Sequence, residues 1–253
     1  MKALDPAIWR RLLERRPSDA HLSALYGPLV EAPTAPDGTF VLGRIAQSLD
    51  GRIATPGGRS YWISGEADIA HTHRLRALSD AVVIGAGTIR ADNPLLTTRH
   101  VEGPSPVRVV IDTDRRLHDG YRVFRDGPQT LLLCAADRRG SEHLGSARVL
   151  GLPRQGAGLD PLSVVSALGA LGLRRIFVEG GGITVSRFLG AGALDRLHVT
   201  VARLLLGGGI PAFTLPPAAD PSEALRVDWT VHQIGADVLF DIPLGRARPA
   251  SCA

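Results

Sequence analysis

Two glycine-rich turns in this chain have the residue types that bind a phosphorylated ligand. The motif Gly85-Ala-Gly-Thr88 follows an apolar run, and the motif Glu179-Gly-Gly-Gly182 follows a similar run about ninety residues later. Because glycine has no side chain, backbone amides in such turns can approach a ligand closely, and the start of the next helix favours an anion. The two motifs therefore predict a nucleotide site that includes Gly85, Gly87, Gly181 and Gly182.

The first of these turns is the weaker signal when it is taken alone. A dinucleotide-binding fingerprint has a third glycine where this chain has Arg90, so a purely structural strand-to-helix turn is an equal alternative. The residues that follow strengthen the functional interpretation. Pro94 disfavours a helical conformation just before it, so Asp92 lies immediately past the turn, where an acid has no capping role.

Acidic and arginine side chains near the turns could bind the rest of a phosphorylated substrate. Glu179 ends a predicted strand, a typical ligand position in open α/β sheets, although a solvated strand end is the alternative. Arg76 and Arg99 could hold a phosphate in fork geometry. For Arg76 the alternative is a favourable charge at the C-terminus of a helix.

The residues after the predicted strand at 107–112 bear on the choice of cofactor. Asp112 is the kind of acid that favours NAD at a strand end, whereas Thr113 with Arg115 or Arg116 suits the 2′-phosphate of NADP. Both kinds of residue are present, and the arginines favour NADP.

Composition restricts the class of protein. The chain has 253 residues, 44% of them hydrophobic, and no apolar run near the ~20 residues of a membrane span. Charges near the N-terminus argue against a signal peptide, so we expect a cytoplasmic enzyme that does not bind a membrane. Two cysteines and the pair His71 and His73, which would lie on different helix faces, predict no metal site. The net charge of +4 comes from scattered arginines, which suits a phosphorylated small molecule better than a nucleic acid.

Alternating strand and helix patterns predict an α/β fold. Predicted strands are 40–46, 80–85, 107–112, 129–135, 175–179 and 195–202, with a hairpin at 229–234 and 237–242. Predicted helices are 65–78, 86–91, 160–171 and 182–190. Such alternation predicts a mostly parallel sheet that ends in an antiparallel hairpin. We expect residues 1–36 to form a helical extension with a linker and residues 37–245 to form the main domain.

Taken together, the motifs resemble the pyrimidine reductase family, the reductase domain of bacterial riboflavin biosynthesis. The motifs are Ser-Leu-Asp-Gly-Arg-Ile-Ala (48–54), Ser-x-Trp-Ile-Ser (60–64), His-Arg-Leu-Arg (73–76), Gly-Ala-Gly-Thr-x-x-Ala-Asp-Asn-Pro (85–94), Leu-Thr-x-Arg (96–99), Arg-Val-Val-Ile-Asp (108–112), Val-Glu-Gly-Gly (178–181) and the segment 194–208. Each motif is weak alone, but their shared order and spacing over about 38–243 is specific.

The resemblance implies a fold, a reaction and a set of contacts. The fold is a dihydrofolate-reductase-like three-layer sandwich, and the reaction is the NADPH-dependent reduction of 5-amino-6-(5-phosphoribosylamino)uracil, or a close analogue, to its ribitylamino product. The implied cofactor contacts are Ala46, Trp62, Thr88, Asp92, Thr113, Gly181, Gly182, Ile183, Thr184, Val185, Ser186 and Arg187. The implied substrate contacts are Ser60, Arg76, Leu96, Arg99 and Glu179.

Several alternatives stay open at the level of sequence. No residue is marked as the proton donor, and Asp50 or a water is the hypothesis. Many members of the family carry a zinc deaminase domain whose motifs this chain lacks, and the resemblance does not extend to residues 1–36. A stand-alone reductase is expected, with a reductase of a pterin or another modified pyrimidine as the alternative and a silent nucleotide-binding module as the non-enzyme alternative. We expect a homodimer, because the family pairs its domains and a strand at 195–202 would otherwise leave a sheet edge unpaired.

Overall fold

The structure, a computed structural model, describes residues 4–16, 20–61 and 63–245. The helices of these residues are α1 (Pro6–Leu13), α2 (Ala20–Val30), α3 (Glu66–Leu78), α4 (Ala86–Asp92), α5 (Pro161–Ala170) and α6 (Gly182–Gly190). The strands are β1 (Phe40–Ser48), β2 (Arg52–Ala54), β3 (Ala81–Gly85), β4 (Val107–Ile111), β5 (Thr130–Ala135), β6 (His143–Leu144), β7 (Ala147–Leu152), β8 (Arg154–Gln155), β9 (Gly158–Leu159), β10 (Arg175–Glu179), β11 (Arg196–Ala202), β12 (Ile210–Pro211), β13 (Thr230–Ile234) and β14 (Asp237–Pro243).

One ten-stranded sheet forms the middle layer, in the order β13–β14–β11–β1–β10–β3–β4–β5–β7–β6. The strands from β11 to β7 in this order are parallel, whereas β14, β13 and β6 run antiparallel to their neighbours. The sheet confirms the predicted α/β fold with its mostly parallel strands and its C-terminal hairpin.

The predicted free edge at 195–202 is wrong. β11 is paired with β1 on one side and with β14 on the other. The C-terminal hairpin folds back along β11 and satisfies its outer backbone groups, so the edge of the sheet on this side is β13.

Alternate side chains of the central strands face two separate apolar layers. Leu42 of β1 and Val82 of β3 belong to one cluster, which includes Leu75 of α3. Their neighbours Val41 and Ala81 belong to the other cluster, on the side of α5 and α6. This period of two is what a sheet covered on both faces requires, and it produces three layers.

Local sequence signals mark the start of α3 and the end of α4. α3 has Glu66 and Asp68 in its first turn, where acids stabilise a helix N-terminus, and Asp237 accepts a hydrogen bond from the Gly65 amide at 2.7 Å. α4 ends at Asp92 and is capped by Asn93, whose φ of +41° is the left-handed conformation that asparagine tolerates. The break predicted before Pro94 therefore occurs one residue after Asp92.

The N-terminal helices are built into the core. Trp9 and Leu12 of α1 and Tyr26 and Leu29 of α2 are buried in the same cluster as α3 and the central strands. Both helices lie in the segment 1–36, for which the sequence predicted a helical extension. Each helix is too short to be stable alone, so both depend on packing against the rest of the core.

A chain of buried polar side chains links α2 to the C-terminal strands. The Tyr26 hydroxyl lies 2.8 Å from His71 Nδ1, His71 Nε2 lies 3.2 Å from His198 Nδ1, and His198 Nε2 lies 3.3 Å from Asp241 Oδ1. Burial raises the pKa of Tyr26 to about 12 and lowers the pKa of both histidines. One arrangement of protons fits all the contacts: the phenol donates to a neutral His71, which donates to a neutral His198.

Four short strands, β6 to β9, lie in a stretch for which the sequence predicted no element. Gly145, Gly151 and Pro153 interrupt the apolar pattern there, and such residues indicate loops. β7 forms because it pairs with β5 at five positions, a long-range contact that has no local signature. Within the described ranges no helix is both long enough and apolar enough to cross a membrane.

Candidate active site

The two glycine turns face each other at the ends of neighbouring strands. Gly85 ends β3, and Gly181 precedes α6 after β10, which pairs with β3. A Cβ atom at Gly181 would lie 2.7 Å from Thr88 Oγ1, and one at Gly85 would overlap Thr184 Oγ1. Each turn is thus packed against the helix that follows the other turn, which explains why neither position has room for a side chain.

Other glycines of the same turns border open space. A Cβ atom at Gly87 or Gly180 would have no heavy atom within 4 Å. Gly180 has a φ of +56° and Gly181 one of +69°, a conformation that glycine adopts without cost. No side chain caps the N-terminus of α6. The turns therefore present backbone groups to a crevice, which is the arrangement that a phosphate group requires.

The segment 181–187 divides into residues that border the crevice and residues that do not. Ile183 is 64% exposed, whereas Val185 is fully buried and Ser186 is buried, with its Oγ accepting a hydrogen bond from the Thr214 amide at 2.8 Å. The Arg187 guanidinium lies against Gly158 in β9. Gly182 is closed off by the carbonyl groups of Pro211 and Ala212.

The predicted substrate residues Arg76 and Glu179 bind each other. Arg76 Nε donates to Glu179 Oε2 at 2.7 Å, and Arg76 Nη2 lies 2.5 Å from Glu179 Oε1. The third side of the guanidinium, Nη1, donates to the Thr97 carbonyl at 2.9 Å. Arg76 is therefore held by the protein, and its side chain and that of Glu179 are only 8% and 14% exposed.

Glu179 remains ionised in this setting. Burial alone would raise the pKa of its carboxyl, but Arg76, with smaller effects of Arg44 and His73, lowers that pKa below its ordinary value. Arg44 lies directly beside Glu179 in the pairing of β1 with β10. A carboxylate fixed in this way can accept hydrogen bonds from the N–H and amino groups of a polar ring.

Arg99 lies close enough to Arg76 and Glu179 for their charges to interact, but it is exposed. Burial and then Arg76 lower the pKa of its guanidinium, whereas Glu179 acts in the opposite direction. Among the described residues its side chain makes no hydrogen bond or ion pair, so it is available to an anion. Leu96, also predicted to contact substrate, is buried with a φ of +55° and fixes the turn that leads to Arg99.

His73 belongs to the same cluster, although we did not predict it from the sequence. Its Nδ1 accepts a hydrogen bond from the Arg99 amide at 3.1 Å, and burial, with Arg76 and Arg99, lowers its pKa to about 3. The imidazole is therefore neutral and acts as an acceptor. A signal for it existed, because His73 and Arg76 are three residues apart and so share a face of α3.

Asp92 and Ser60 meet at the edge of the crevice. The Ser60 hydroxyl lies 3.5 Å from Asp92 Oδ1, and Asp92 is half-buried at the end of α4. Burial raises the pKa of the Asp92 carboxyl, with Ser60 as a smaller effect in the other direction. The structure thus brings together one residue predicted for the cofactor and one predicted for the substrate.

The Asp50 carboxylate is held in place by three hydrogen bonds. It accepts them from the Ser48 hydroxyl at 2.5 Å, the Leu206 amide at 3.1 Å and the Gly207 amide at 2.7 Å. These hydrogen bonds, that of Ser48 first, lower the pKa of Asp50 to about 2. Such an acid fixes a loop and holds no proton near neutral pH, so the environment favours a structural role over proton donation.

The residues predicted to select NADP lie beyond the end of β4. The Thr113 carbonyl accepts from the Ala135 amide at 2.9 Å. Arg115 is bound to the neighbouring loop, where it donates to the Arg139 carbonyl, to Ser141 Oγ at 2.7 Å and to the His143 carbonyl at 3.1 Å. The Arg116 side chain is 73% exposed, and among the described residues it pairs with Asp114 alone, at 3.2 Å. Of the two arginines, Arg116 is therefore the one free to bind a ligand.

A buried ion pair lies next to the predicted cofactor contact Ala46. Ala46 in β1 is paired with Thr200 in β11, whose hydroxyl donates to Asp68 Oδ1 at 2.7 Å. Asp68 also binds Arg44, and despite its burial this partner lowers the pKa of the Asp68 carboxyl. Sequence reasoning missed this pair, since its members lie in different elements and have no shared local pattern.

Trp62, a further predicted cofactor contact, lies outside the described residues. Across the ranges that the structure describes, no group of three or more His, Cys, Asp or Glu side chains could hold a metal ion.

Comparison with known proteins gives a consistent result. The family model described as the RibD C-terminal domain matches residues 39–239. The riboflavin biosynthesis protein RibD of Mycobacterium tuberculosis is 32% identical over 204 residues, which are 79% of this chain and 52% of that protein. The chain thus spans about half the length of the RibD relatives it matches.

A shorter relative is covered more completely. The 2,5-diamino-6-ribosylamino-4(3H)-pyrimidinone 5′-phosphate reductase of Methanothermobacter thermautotrophicus is 34% identical over 175 residues, 67% of this chain and 80% of that protein. Among solved structures, the deaminase/5-amino-6-(5-phosphoribosylamino)uracil reductase of Thermotoga maritima has a TM-score of 0.71 and 26% identity, and the match covers 81% of this chain and 56% of that one.

Proposed function

This chain belongs to the RibD C-terminal domain family, and we propose that it is the NADPH-dependent pyrimidine reductase of riboflavin biosynthesis. Its substrate is 5-amino-6-(5-phosphoribosylamino)uracil or a close analogue such as 2,5-diamino-6-ribosylamino-4(3H)-pyrimidinone 5′-phosphate. The observation that carries the proposal is the ionised Glu179, fixed by Arg76, with the available Arg99 beside it.

The crevice fits a nicotinamide cofactor, because the two glycine turns offer backbone groups and open space at Gly87 and Gly180. When bound, such a cofactor supplies the hydride that reduces C1′ of the opened sugar. We narrow the contacts of the 181–187 segment to 181–184, since the later side chains are buried or directed elsewhere. Arg116 is the residue we assign to the 2′-phosphate.

The substrate is held at two points in this proposal. Glu179 accepts hydrogen bonds from the pyrimidine, and Arg99 binds the 5′-phosphate. Arg76 acts indirectly by keeping Glu179 ionised and oriented, because its own guanidinium is engaged on three sides. Catalysis then rests chiefly on positioning. We assign the proton to a water, since the pKa of Asp50 is about 2.

We further propose a cytoplasmic homodimer. Its support is the edge strand β13, on which Val231 is 53% exposed, with Trp229 beside it at 57%. Apolar side chains on an open strand edge favour pairing with a second chain. Sedimentation of the wild type should give a dimer at micromolar concentration. Val231→Lys should shift it to the monomer, and a wild-type monomer would contradict the proposal.

The test of the activity is steady-state oxidation of NADPH with three substrates: the phosphoribosylamino-uracil, its 2-amino analogue and a dihydropterin. Reduction of either pyrimidine with a kcat/KM well above that for the pterin supports the proposal. A preference for the pterin would place the chain in another pathway, and no turnover with cofactor still bound would indicate a nucleotide-binding module.

A further inference from the structure

The loop that carries Arg99, residues 93–106 (the Arg99 loop), is held from two sides. α3 holds its first half: Arg76 donates to the Thr97 carbonyl at 2.9 Å, and His73 accepts from the Arg99 amide at 3.1 Å. Ser105 closes the loop on itself by accepting from the Thr98 amide at 3.0 Å. These hydrogen bonds fix the backbone up to Arg99, and just beyond it the His73 ring packs edge-on against the His100 ring, with centroids 4.6 Å apart.

α1 holds the second half of the Arg99 loop. The indole Nε1 of Trp9 donates to the Glu102 carbonyl at 2.9 Å, across 93 residues of sequence. Glu102 is only three residues from Arg99, so this hydrogen bond fixes the chain on the far side of the arginine.

Gly103 shows how closely the loop fits between α1 and α3. A Cβ atom at this position would lie 2.8 Å from Ala77 Cβ and 3.1 Å from Leu13 Cδ2, so both helices contact it. Its φ of +139° is one that glycine favours. The loop is therefore enclosed between the two helices, with no space to shift toward either of them.

α1 is a firm support for this contact, although it lies outside the segment that matches the family. The match begins at residue 39. Trp9 is 6% exposed and Leu12 is 1% exposed, and both pack in the cluster that contains Leu75 of α3. The N-terminal helix thus brings to the loop a hydrogen bond that the matched segment does not contain.

We propose that α1 positions the Arg99 loop for binding of the substrate phosphate, and that Trp9 is the positioning residue. The inference rests on the proposed function for the identity of the anion. A long exposed arginine binds a phosphate more tightly when the backbone beneath it is already ordered, because less conformational entropy is lost on binding. Trp9 touches no substrate; it acts through Glu102 on Arg99.

The experiment compares Trp9→Phe with Tyr26→Phe. The first change removes the indole N–H but keeps an aromatic ring in the core. The second removes one buried hydroxyl from the same N-terminal extension, where it binds His71 and not the loop. Trp9→Phe should raise KM for the phosphorylated substrate roughly 3- to 10-fold, the range expected for loss of one hydrogen bond, with kcat nearly unchanged. KM for the dephosphorylated substrate should stay constant, and Tyr26→Phe should change neither KM.

Two further measurements separate positioning from general destabilisation. In an Arg99→Ala background, Trp9→Phe should raise KM no further, because the two residues act through one interaction. Amide hydrogen exchange over residues 97–105 should be faster in Trp9→Phe than in Tyr26→Phe at equal global stability. Equal rises of KM in both variants, or additive effects of Trp9→Phe and Arg99→Ala, would overturn the proposal.

The exchange measurement also keeps the two proposals apart. If the wild type reduces none of the pyrimidines, the proposed function fails, and the anchoring of the loop is then judged by exchange alone. Unchanged exchange at 97–105 in Trp9→Phe overturns the anchor whatever the enzyme does. Faster exchange with unchanged KM would mean that Trp9 holds the loop without affecting phosphate binding. That result also overturns the inference.

Discussion

Arg76 in the last turn of α3 and Glu179 at the end of β10 form a bidentate ion pair, with contacts of 2.7 Å and 2.5 Å. The pair joins residues 103 positions apart and links α3 to the end of β10. Because both charges are largely removed from water, each depends on the other, and the pair orients Glu179 before any ligand binds.

Glu179→Gln should therefore affect both stability and activity. Gln keeps the shape but leaves the buried Arg76 without its counter-charge, so the free energy of unfolding should fall by roughly 3 kcal/mol. Turnover of phosphorylated and dephosphorylated substrates should fall alike, and binding of NADPH should be spared. Urea denaturation and cofactor titration measure the two effects. The matched control is Glu66→Gln, an exposed glutamate of α3; a similar loss of stability there would show that the ion pair is not the cause.

His73 makes stability depend on pH. Its pKa is lowered from 6.5 to about 3 by burial and by Arg76 and Arg99. As the pH falls below 6.5, the unfolded chain binds a proton that the folded protein does not, so stability is full above 6.5 and declines toward pH 3. His73→Asn, whose amide oxygen can still accept from the Arg99 amide, should reduce the slope of unfolding free energy against pH.

The change of slope expected for His73→Asn has an upper limit, and a matched control is available. One proton changes the slope by at most about 1.4 kcal/mol per pH unit, and His71 and His198 contribute to the remaining slope in the same direction. His143→Asn, at an exposed histidine of β6, is the matched control. Equal slopes for wild type and His73→Asn would show that folding does not lower the pKa of His73.

The elements of the sheet could be predicted because their signal is local. The apolar runs 81–84 and 176–178 lead into glycine turns, so their sequence alone indicates a buried strand and its turn. The order of the strands is different, because it depends on contacts between distant segments. The false edge at β11 arose in this way: nothing local to 195–202 shows that β14 returns to cover it.

The sequence selected candidate site residues but could not show how they are arranged. The motifs selected Arg76, Arg99 and Glu179, yet their types alone suggested two arginines on one phosphate. The structure separates their roles, because Arg76 is bound to Glu179 and Arg99 is not. The two arginines differ because Arg76 is buried and Arg99 is not. A single sequence does not show which charged side chain will be buried.

Gly87 offers a test of the crevice that does not disturb the fold. A Cβ atom there would have no heavy atom within 4 Å outside the helix itself, and the backbone conformation is not one that only glycine favours. Gly87→Leu should therefore leave stability unchanged while it raises the Kd for NADPH by filling the space before the turn. Gly190→Leu, at the C-terminal end of α6, is the control of equal bulk. Unaltered cofactor affinity in Gly87→Leu would show that the turn is only structural.

Arg116 should set the preference for NADPH over NADH. Its exposed guanidinium can form a charged hydrogen bond to a 2′-phosphate, so Arg116→Ala should reduce the ratio of kcat/KM values for the two cofactors about tenfold. Arg115→Ala should instead lower the melting temperature, because Arg115 binds three groups of the loop at 139–143. Equal use of both cofactors by the wild type would contradict the assignment of NADPH.

Arg99 should distinguish substrates by their phosphate. Its side chain is exposed and makes no ion pair among the described residues, so Arg99→Ala removes a ligand contact and leaves the fold as it is. The change should reduce kcat/KM for the phosphorylated substrate by roughly 1.5–3 kcal/mol, the range for a charged hydrogen bond, and reduce that for the dephosphorylated substrate much less. Arg148→Ala, which removes an exposed charge of β7, should affect neither. If Arg99→Ala penalises both substrates equally, Arg99 holds its loop and not a phosphate, and the sugar-phosphate site must be sought elsewhere.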